Sequence, residues 1–343
     1  MNPTPIWYDQ CCDGISLSRR RRFIIQLLKW SLLPLSVLYC AVVRLRRSGY
    51  QRGWLHTTRL PIPVLVIGNL TVGGTGKTPL VLHLAQRLRA QGWTPGILTR
   101  GYGGAARHWP QMVTAASDPT QVGDEAVLLA RRSGCVVIAA PQRVAAGQLA
   151  WRHGCDIVLT DDGLQHYQLA RDVEIALIDG ERGFGNGQCL PAGPLREPPS
   201  RLASVDLLLY HGGSGDGLHM RLLAGAVVNV RQPELTRPLA AFHGQRVLAV
   251  AGIGSPARFF AQLTAAGVAI EPRPYPDHHP FTAAEIAAWP PLPVLMTEKD
   301  AVKCAAFAGA DHWFLAVAAE LDAEFLTQFD AKVATLRQLT TNN

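Results

Sequence analysis

No two of the seven cysteines stand as a CxxC pair, and their number is odd. Such a set supplies neither a disulfide framework nor a structural zinc site, and it fits a reducing compartment. Internal repeats and low-complexity tracts are missing too. Charge is scarce: 17% of residues are charged and 48% hydrophobic, a balance that buries a core and excludes general disorder. Basic residues are concentrated at one end. Residues 1–60 hold ten Lys/Arg against Asp9 and Asp13, a local charge of +8, while the other 283 residues hold 23 Lys/Arg against 24 Asp/Glu. A nucleic-acid-binding domain more often spreads its basic stripe over the folded body. With no aromatic and basic platform either, the sequence reads as one without a nucleic-acid partner.

The basic end is built around an apolar run. "RRRRFIIQLLKWSLLPLSVLYCAVVRLRR" contains 21 mostly apolar residues, Phe23 to Val43, a length that suits a bilayer span. Lys29 and Pro34 interrupt it, and arginines flank both sides, so the positive-inside rule assigns no direction. The run is too long for a cleaved signal peptide and lacks a clear small-residue cleavage site. The expectation is a helix lying in the membrane interface, monotopic or peripheral rather than a single span, with arginines on anionic head groups and its apolar face in the acyl region.

Downstream, strand and helix signals alternate. Apolar runs at Val64–Ile67, Gly96–Thr99, Cys135–Ala140, Cys155–Thr160 and Glu174–Asp179 are separated by helical patterns such as Leu80–Leu88 and Arg143–Trp151. This predicts a parallel sheet covered on both faces. Further strands near Val205–Tyr210 and Ala226–Val230 precede a second α/β unit with a strand at Arg246–Ile253, a helix at Pro256–Ala266 and a strand at Val294–Thr297. The reading is an α/β protein: a membrane-associating segment over 1–54, a P-loop NTPase-like parallel-sheet domain over 55–238, and a smaller α/β domain over 239–343, with the boundary near Gln232–Gly244.

"TVGGTGKT", Thr71 to Thr78, matches G-x-x-x-x-G-K-[ST] except that Thr71 replaces the first glycine. A strand precedes it and a helix follows. Thr71, Val72, Gly73, Gly74, Thr75 and Gly76 would wrap a polyphosphate with backbone N–H groups, at the positive end of the following helix. Lys77 would reach the β/γ-phosphates of ATP and Thr78 would ligate Mg²⁺. No NKxD motif accompanies the turn, which disfavours a GTPase. In a parallel sheet, ligands bind beyond the carboxyl ends of the strands, where several charged groups fall. Asp161 and Asp162 follow a strand in a Walker-B pattern that suits Mg²⁺, with His166 close by in "DDGLQH". Arg100 suits a phosphate and Tyr102 the face of a sugar ring. Asp124 and Glu125 open a helix, where acidic groups are favoured on electrostatic grounds alone. Arg196 and Glu197 sit in a loop rich in Pro and Gly. Asp277, His278 and His279 lack a third ligand at zinc spacing.

Together, "GNLTVGGTGKTP", "TRGYGG", "GDEAVLLA", "DDGLQH", "GNGQCLPAGPLREP", "YPDHHPF" and "TEKDAVK" closely resemble the tetraacyldisaccharide 4′-kinase family of lipid A biosynthesis, over nearly the whole chain. The resemblance accommodates Thr71, since a small hydroxyl residue is usual there. It implies ATP- and Mg²⁺-dependent phosphorylation of the 4′-hydroxyl of a tetraacylated glucosamine disaccharide 1-phosphate, at the cytoplasmic face of a bacterial inner membrane. It also implies two α/β/α domains joined by a two-stranded linker, and no obligate protein partner. By the same resemblance Asp124 is the catalytic base, His278 its assistant, Arg196 a contact of the transferring phosphate, and Asp161 and Glu197 the metal carboxylates. Arg100, Tyr102, Arg143, Asp162 and His166 are implied to meet the sugar head group and its 1-phosphate. His278, placed in the other domain, is expected to approach Asp124 only on closure. The alternative reading is a membrane-tethered P-loop ATPase acting on a protein partner.

Overall fold

Five of the apolar runs are buried at every position: β1 (Val64–Gly68), β2 (Pro95–Thr99), β5 (Ile157–Thr160), β6 (Val173–Asp179) and β12 (Val294–Thr297). Continuous burial without alternation marks strands covered on both faces. The remaining strands are β3 (Gln111–Val113), β4 (Val136–Ala139), β7 (Leu207–His211), β8 (His219–Asn229), β9 (Thr236–Arg237), β10 (Arg246–Ala251), β11 (Ala269–Pro274) and β13 (His312–Leu321). The structure, a computed structural model, describes residues 7, 19–213 and 216–341. They form two compact units, each discontinuous in sequence. The first takes the described parts of 1–77, 160–220 and 321–343; the second takes 78–159 and 221–320. Neither coincides with the contiguous segments 55–238 and 239–343.

In the first unit β6 lies between β1 and β7, all parallel, with Leu65 opposite Val173 and Ile175 opposite Leu207. The N-terminal helix spans Arg19–Gln51 and continues through Pro34. One face is held by polar contacts: Ser36 donates to the Cys189 carbonyl at 2.6 Å, Tyr39 to the Arg196 carbonyl at 3.2 Å, and Arg47 to Ser204 Oγ at 2.6 Å. Leu27, Trp30, Leu35, Leu38, Val42 and Leu45 recur at spacings of three to five and are all exposed, so they form one apolar stripe at helical period. Among the described residues no helix is long and apolar enough to cross a membrane. The C-terminal helix Ala323–Thr341 contributes buried Phe325 and Phe329 to this unit, and its Lys332 pairs with Asp206 at 2.8 Å.

In the second unit β2 pairs parallel with β4, and β3 runs antiparallel on the far side of β4. A second set of parallel strands follows the order β11-β10-β12-β13. Side chains of β10 alternate between two cores. Val247, Ala249 and Ala251 meet Phe259 and Leu263 of the helix Pro256–Ala265. Leu248 and Val250 meet Ile286, Trp289, Ala301 and Cys304 from the helices Ala283–Ala287 and Glu298–Cys304 and their connections. β11 carries Pro272 and Pro274, which an edge strand tolerates because the outer N–H groups have no ladder partner to lose.

Helix termini in this unit aim its charged groups. Gly123, at φ +92°, precedes the helix Asp124–Ser133, and a Cβ there would stand 2.5 Å from the Tyr102 carbonyl oxygen. Only glycine fits that crossing. Arg132 of the same helix places Nη1 2.7 and 2.6 Å from the two oxygens of Glu298, at the head of the helix Glu298–Cys304.

Candidate active site

The first unit carries a cationic cluster at the end of β1. Asn69 is buried. Its Nδ2 donates to the Thr71 carbonyl at 2.9 Å and its Oδ1 accepts from Lys77 Nζ at 3.0 Å, so one amide braces the glycine turn and aims the ammonium. Asp162 lies 3.3 Å from Lys77 Nζ and accepts from Arg196 Nη1 at 2.9 and 2.7 Å. Arg196 reaches this point because its loop runs along the turn: Thr71 and Leu195 bridge antiparallel, and the Arg196 N–H donates to the Leu70 carbonyl at 2.7 Å. Burial opposes a charge on Asp162, but Lys77 and then Arg196 outweigh it and hold the carboxyl far below its usual range. Asp162 sits at φ +55°, sparsely populated for a residue with a side chain.

The turn itself is open. Gly73 has φ +109°, and a Cβ added at Gly73 or Gly74 would meet nothing within 4 Å. That is room for an anion against bare backbone. Not every group of Thr71–Thr78 faces it: the Val72 N–H donates to the Pro194 carbonyl at 2.8 Å, and the Thr75 carbonyl is bonded by His211 Nδ1 at 2.9 Å. Gly76, at φ +87°, closes the turn before Lys77 opens the helix Lys77–Ala90, and Thr78 follows as its second residue.

Asp161 is buried at the end of β5. Glu197 is also buried; it accepts from Tyr167 Oη and, at 3.0 Å, from Gln165 Nε2. Burial and the neighbouring Glu197 push the Tyr167 phenol well above its ordinary pKa. Buried Arg201 links this group to Glu174. No set of three or more His, Cys, Asp or Glu among the described residues converges as a metal cage. Mg²⁺ does not need one, since one or two carboxylates with substrate phosphates suffice. His166 is half-buried on the turn after β5, and its carbonyl accepts from Arg171 at 2.6 Å.

The second unit carries an acid–base cluster. Asp124 is buried at the first turn of its helix, where Oδ1 accepts from the Glu125 N–H at 2.8 Å. His278 Nδ1 lies 3.1 Å from each oxygen of Asp124. The pair is therefore already formed, inside one compact unit, whereas the sequence reading had it assemble on closure. Burial disfavours charge on both groups, yet their mutual hydrogen bond prevails: the Asp124 carboxyl is lowered and the His278 imidazole raised relative to ordinary values. Tyr102, exposed, stacks at a tilt on the His278 ring with centroids 4.7 Å apart. Arg100 is exposed. Arg143 is buried and donates to the Ala140 carbonyl at 2.6 Å.

The structure thus joins Lys77, Asp162 and Arg196 in one unit and Asp124, His278 and Tyr102 in the other. Sequence reasoning missed Asn69, whose only signal is a polar residue ending an apolar strand. It also missed Lys299. That residue lies in "TEKDAVK", where Thr297 caps the helix by accepting from the Asp300 N–H, and its spacing reads as a helix start.

Comparison with known proteins agrees over almost the full length. Residues 28–334 match the family model described as tetraacyldisaccharide-1-P 4′-kinase. A tetraacyldisaccharide 4′-kinase of Alkalilimnicola ehrlichii is 50% identical over 329 residues, covering 90% of this chain and 94% of its own. The enzyme of the same description from Nitrosococcus oceani is 50% identical over 318 residues, covering 92% and 94%. A crystal structure of LpxK from Aquifex aeolicus in complex with ATP is similar with a TM-score of 0.75 at 27% identity, covering 90% of this chain and 99% of that one. The chain belongs to the tetraacyldisaccharide-1-P 4′-kinase family.

Proposed function

We propose that this chain transfers the γ-phosphate of ATP to the 4′-hydroxyl of a tetraacyldisaccharide 1-phosphate, with Asp124 accepting the hydroxyl proton. The observation that carries the reading is the buried Asp124 carboxylate, ionised and oriented at 3.1 Å by His278. A sugar hydroxyl is a poor nucleophile until its proton has an acceptor, and a positioned base contributes roughly 10²–10⁴-fold. Lys77 and Arg196 supply positive charge for the phosphoryl oxygens, and the open backbone at Gly73 and Gly74 receives the polyphosphate. Asp162 keeps the two cations together until phosphate takes its place. Thr78 and Asp161 offer the hard oxygen donors that Mg²⁺ favours, and the metal neutralises charge on the phosphates when bound. Glu197, held by Tyr167 and Gln165, serves beside them as a fixed negative charge. Tyr102 and Arg100, both exposed, suit the sugar and its 1-phosphate, and half-buried His166 is a further contact; Arg143, buried on the Ala140 carbonyl, is the least accessible of the group.

The lipid acceptor gives the N-terminal helix its role. Its exposed apolar stripe fits the acyl region of the cytoplasmic leaflet. Beside it, Arg44, Arg47 and Arg201, with Glu197 among them, line a pocket of about 250 Å³. Transfer of radiolabel from γ-labelled ATP to the lipid disaccharide, with ADP formed one-for-one and a lipid-free sugar as control, tests the reading. ATP turnover indifferent to the lipid would instead favour a tethered ATPase.

A further inference from the structure

Lys299 Nζ lies 3.1 Å from Glu125 Oε1, 3.1 Å from Asp277 Oδ1 and 3.1 Å from His278 Nε2. An ammonium has three N–H donors and no lone pair. Two of its hydrogens are taken by carboxylates, and the third points at the imidazole, so Nε2 must present its lone pair. The ring's own hydrogen then sits on Nδ1, the atom that faces both oxygens of Asp124. We infer that Lys299 is a positioning residue for the phosphoryl transfer: it fixes His278 as the neutral Nδ1–H tautomer and so makes it an obligate donor to Asp124.

This deepens the assignment of Asp124 as base and rests on it for its catalytic meaning. Its chemical consequence is specific. With Nδ1 carrying a hydrogen and Nε2 accepting from Lys299, a second proton can join the His278 ring only by displacing that ammonium contact. The proton removed from the acceptor hydroxyl therefore stays on Asp124, and the histidine orients rather than relays. The groups facing the ring are Asp124 from the helix Asp124–Ser133, Asp277 from its own loop with Oδ1 3.7 Å from Nε2, Tyr102 from the segment after β2, and Lys299 from the helix Glu298–Cys304, itself held by Glu125. Lys303 acts on Asp124 from the same helix as Lys299. Among these, Asp124 and Asp277 favour an imidazolium and Lys299 opposes it. Its ammonium is in turn held charged, because Glu125, Asp124 and Asp277 outweigh its burial.

The test is ring-nitrogen NMR on histidine-labelled full-length protein across a pH series, with His278→Gln to assign the signals. Above its imidazolium midpoint, wild type should show the Nδ1–H tautomer. In Lys299→Met the imidazolium should persist to a pH higher by about one unit, the scale of a nearby like charge. The acid limb of kcat should move with it while KM for ATP holds, and Lys299→Arg should restore the wild-type midpoint. An Nε2–H tautomer in wild type overturns the inference, as does an unchanged midpoint in Lys299→Met. The wild-type spectrum decides even if Lys299→Met fails to fold. If the tautomer is Nδ1–H but Asp124→Ala keeps near-normal kcat, the positioning stands and the base assignment falls.

Discussion

At the scale of single residues, the proposed role of the Asp124–His278 pair predicts that acid acts in opposite directions on stability and on activity. His278 has a raised pKa in the folded protein, so its contribution to stability is complete below the ordinary histidine range and is lost as pH rises through the raised value. If Asp124 is the base, as proposed, catalysis needs the other state, because an imidazolium beside Asp124 holds the carboxylate in an ion pair and weakens it as a base. Between the ordinary and the raised histidine pKa, lowering the pH should therefore increase melting temperature while decreasing kcat, and His278→Gln should flatten both profiles. Asp124→Ala should lower kcat by roughly 10²–10⁴ with little change in KM for ATP. The double variant should be little worse than Asp124→Ala, since groups acting as a unit are not additive. Losses that multiply would separate the two. The sequence revealed Asp124 and His278 through motif resemblance, and it revealed Lys77 through spacing alone. Lys299 was hidden, because its role depends on three acceptors brought together from Glu125, Asp277 and His278, a convergence no local spacing encodes.

At the scale of elements, the buried parallel strands were the most legible feature. β1, β2, β6 and β12 fall within one or two residues of their apolar runs. Other elements escaped, β11 and β8 among them. β11 contains two prolines, which read as breakers until its edge position is known. β8 begins at His219, well before the stretch near Ala226, because Arg221 interrupts its start and Leu223 to Ala226 are exposed. The alternating faces of β10 bear on stability. Phe259 and Leu263 cover one face of that strand, so Phe259→Ala should cost about 3 kcal/mol in urea unfolding through lost burial and a residual cavity. Lipid kinase activity per folded molecule should be preserved, since Phe259 belongs to the core. A loss below 1 kcal/mol would mean that this face collapses to fill the space.

At the scale of the whole molecule, the proposed membrane association would rest on an exposed helix stripe whose substitution spares the core. Leu38 and Val42 are 61% and 55% exposed on the helix stripe. Leu38→Glu with Val42→Glu should reduce sedimentation with anionic liposomes and raise KM for lipid acceptor presented in bilayers, with the melting temperature unchanged. Undiminished liposome binding would place the docking surface elsewhere. The division into two units also governs how the protein is made. The chain passes between them at four points, after Lys77, Leu159, Met220 and Glu320. The helix Arg19–Gln51 therefore precedes by most of the chain the segment that completes its unit, with Phe325, Phe329 and Lys332. Throughout synthesis the apolar stripe is displayed on a half-built body. A chain stopped at Glu320 should therefore be unstable in the unit that holds its N-terminal helix, far from the truncation, rather than at its end.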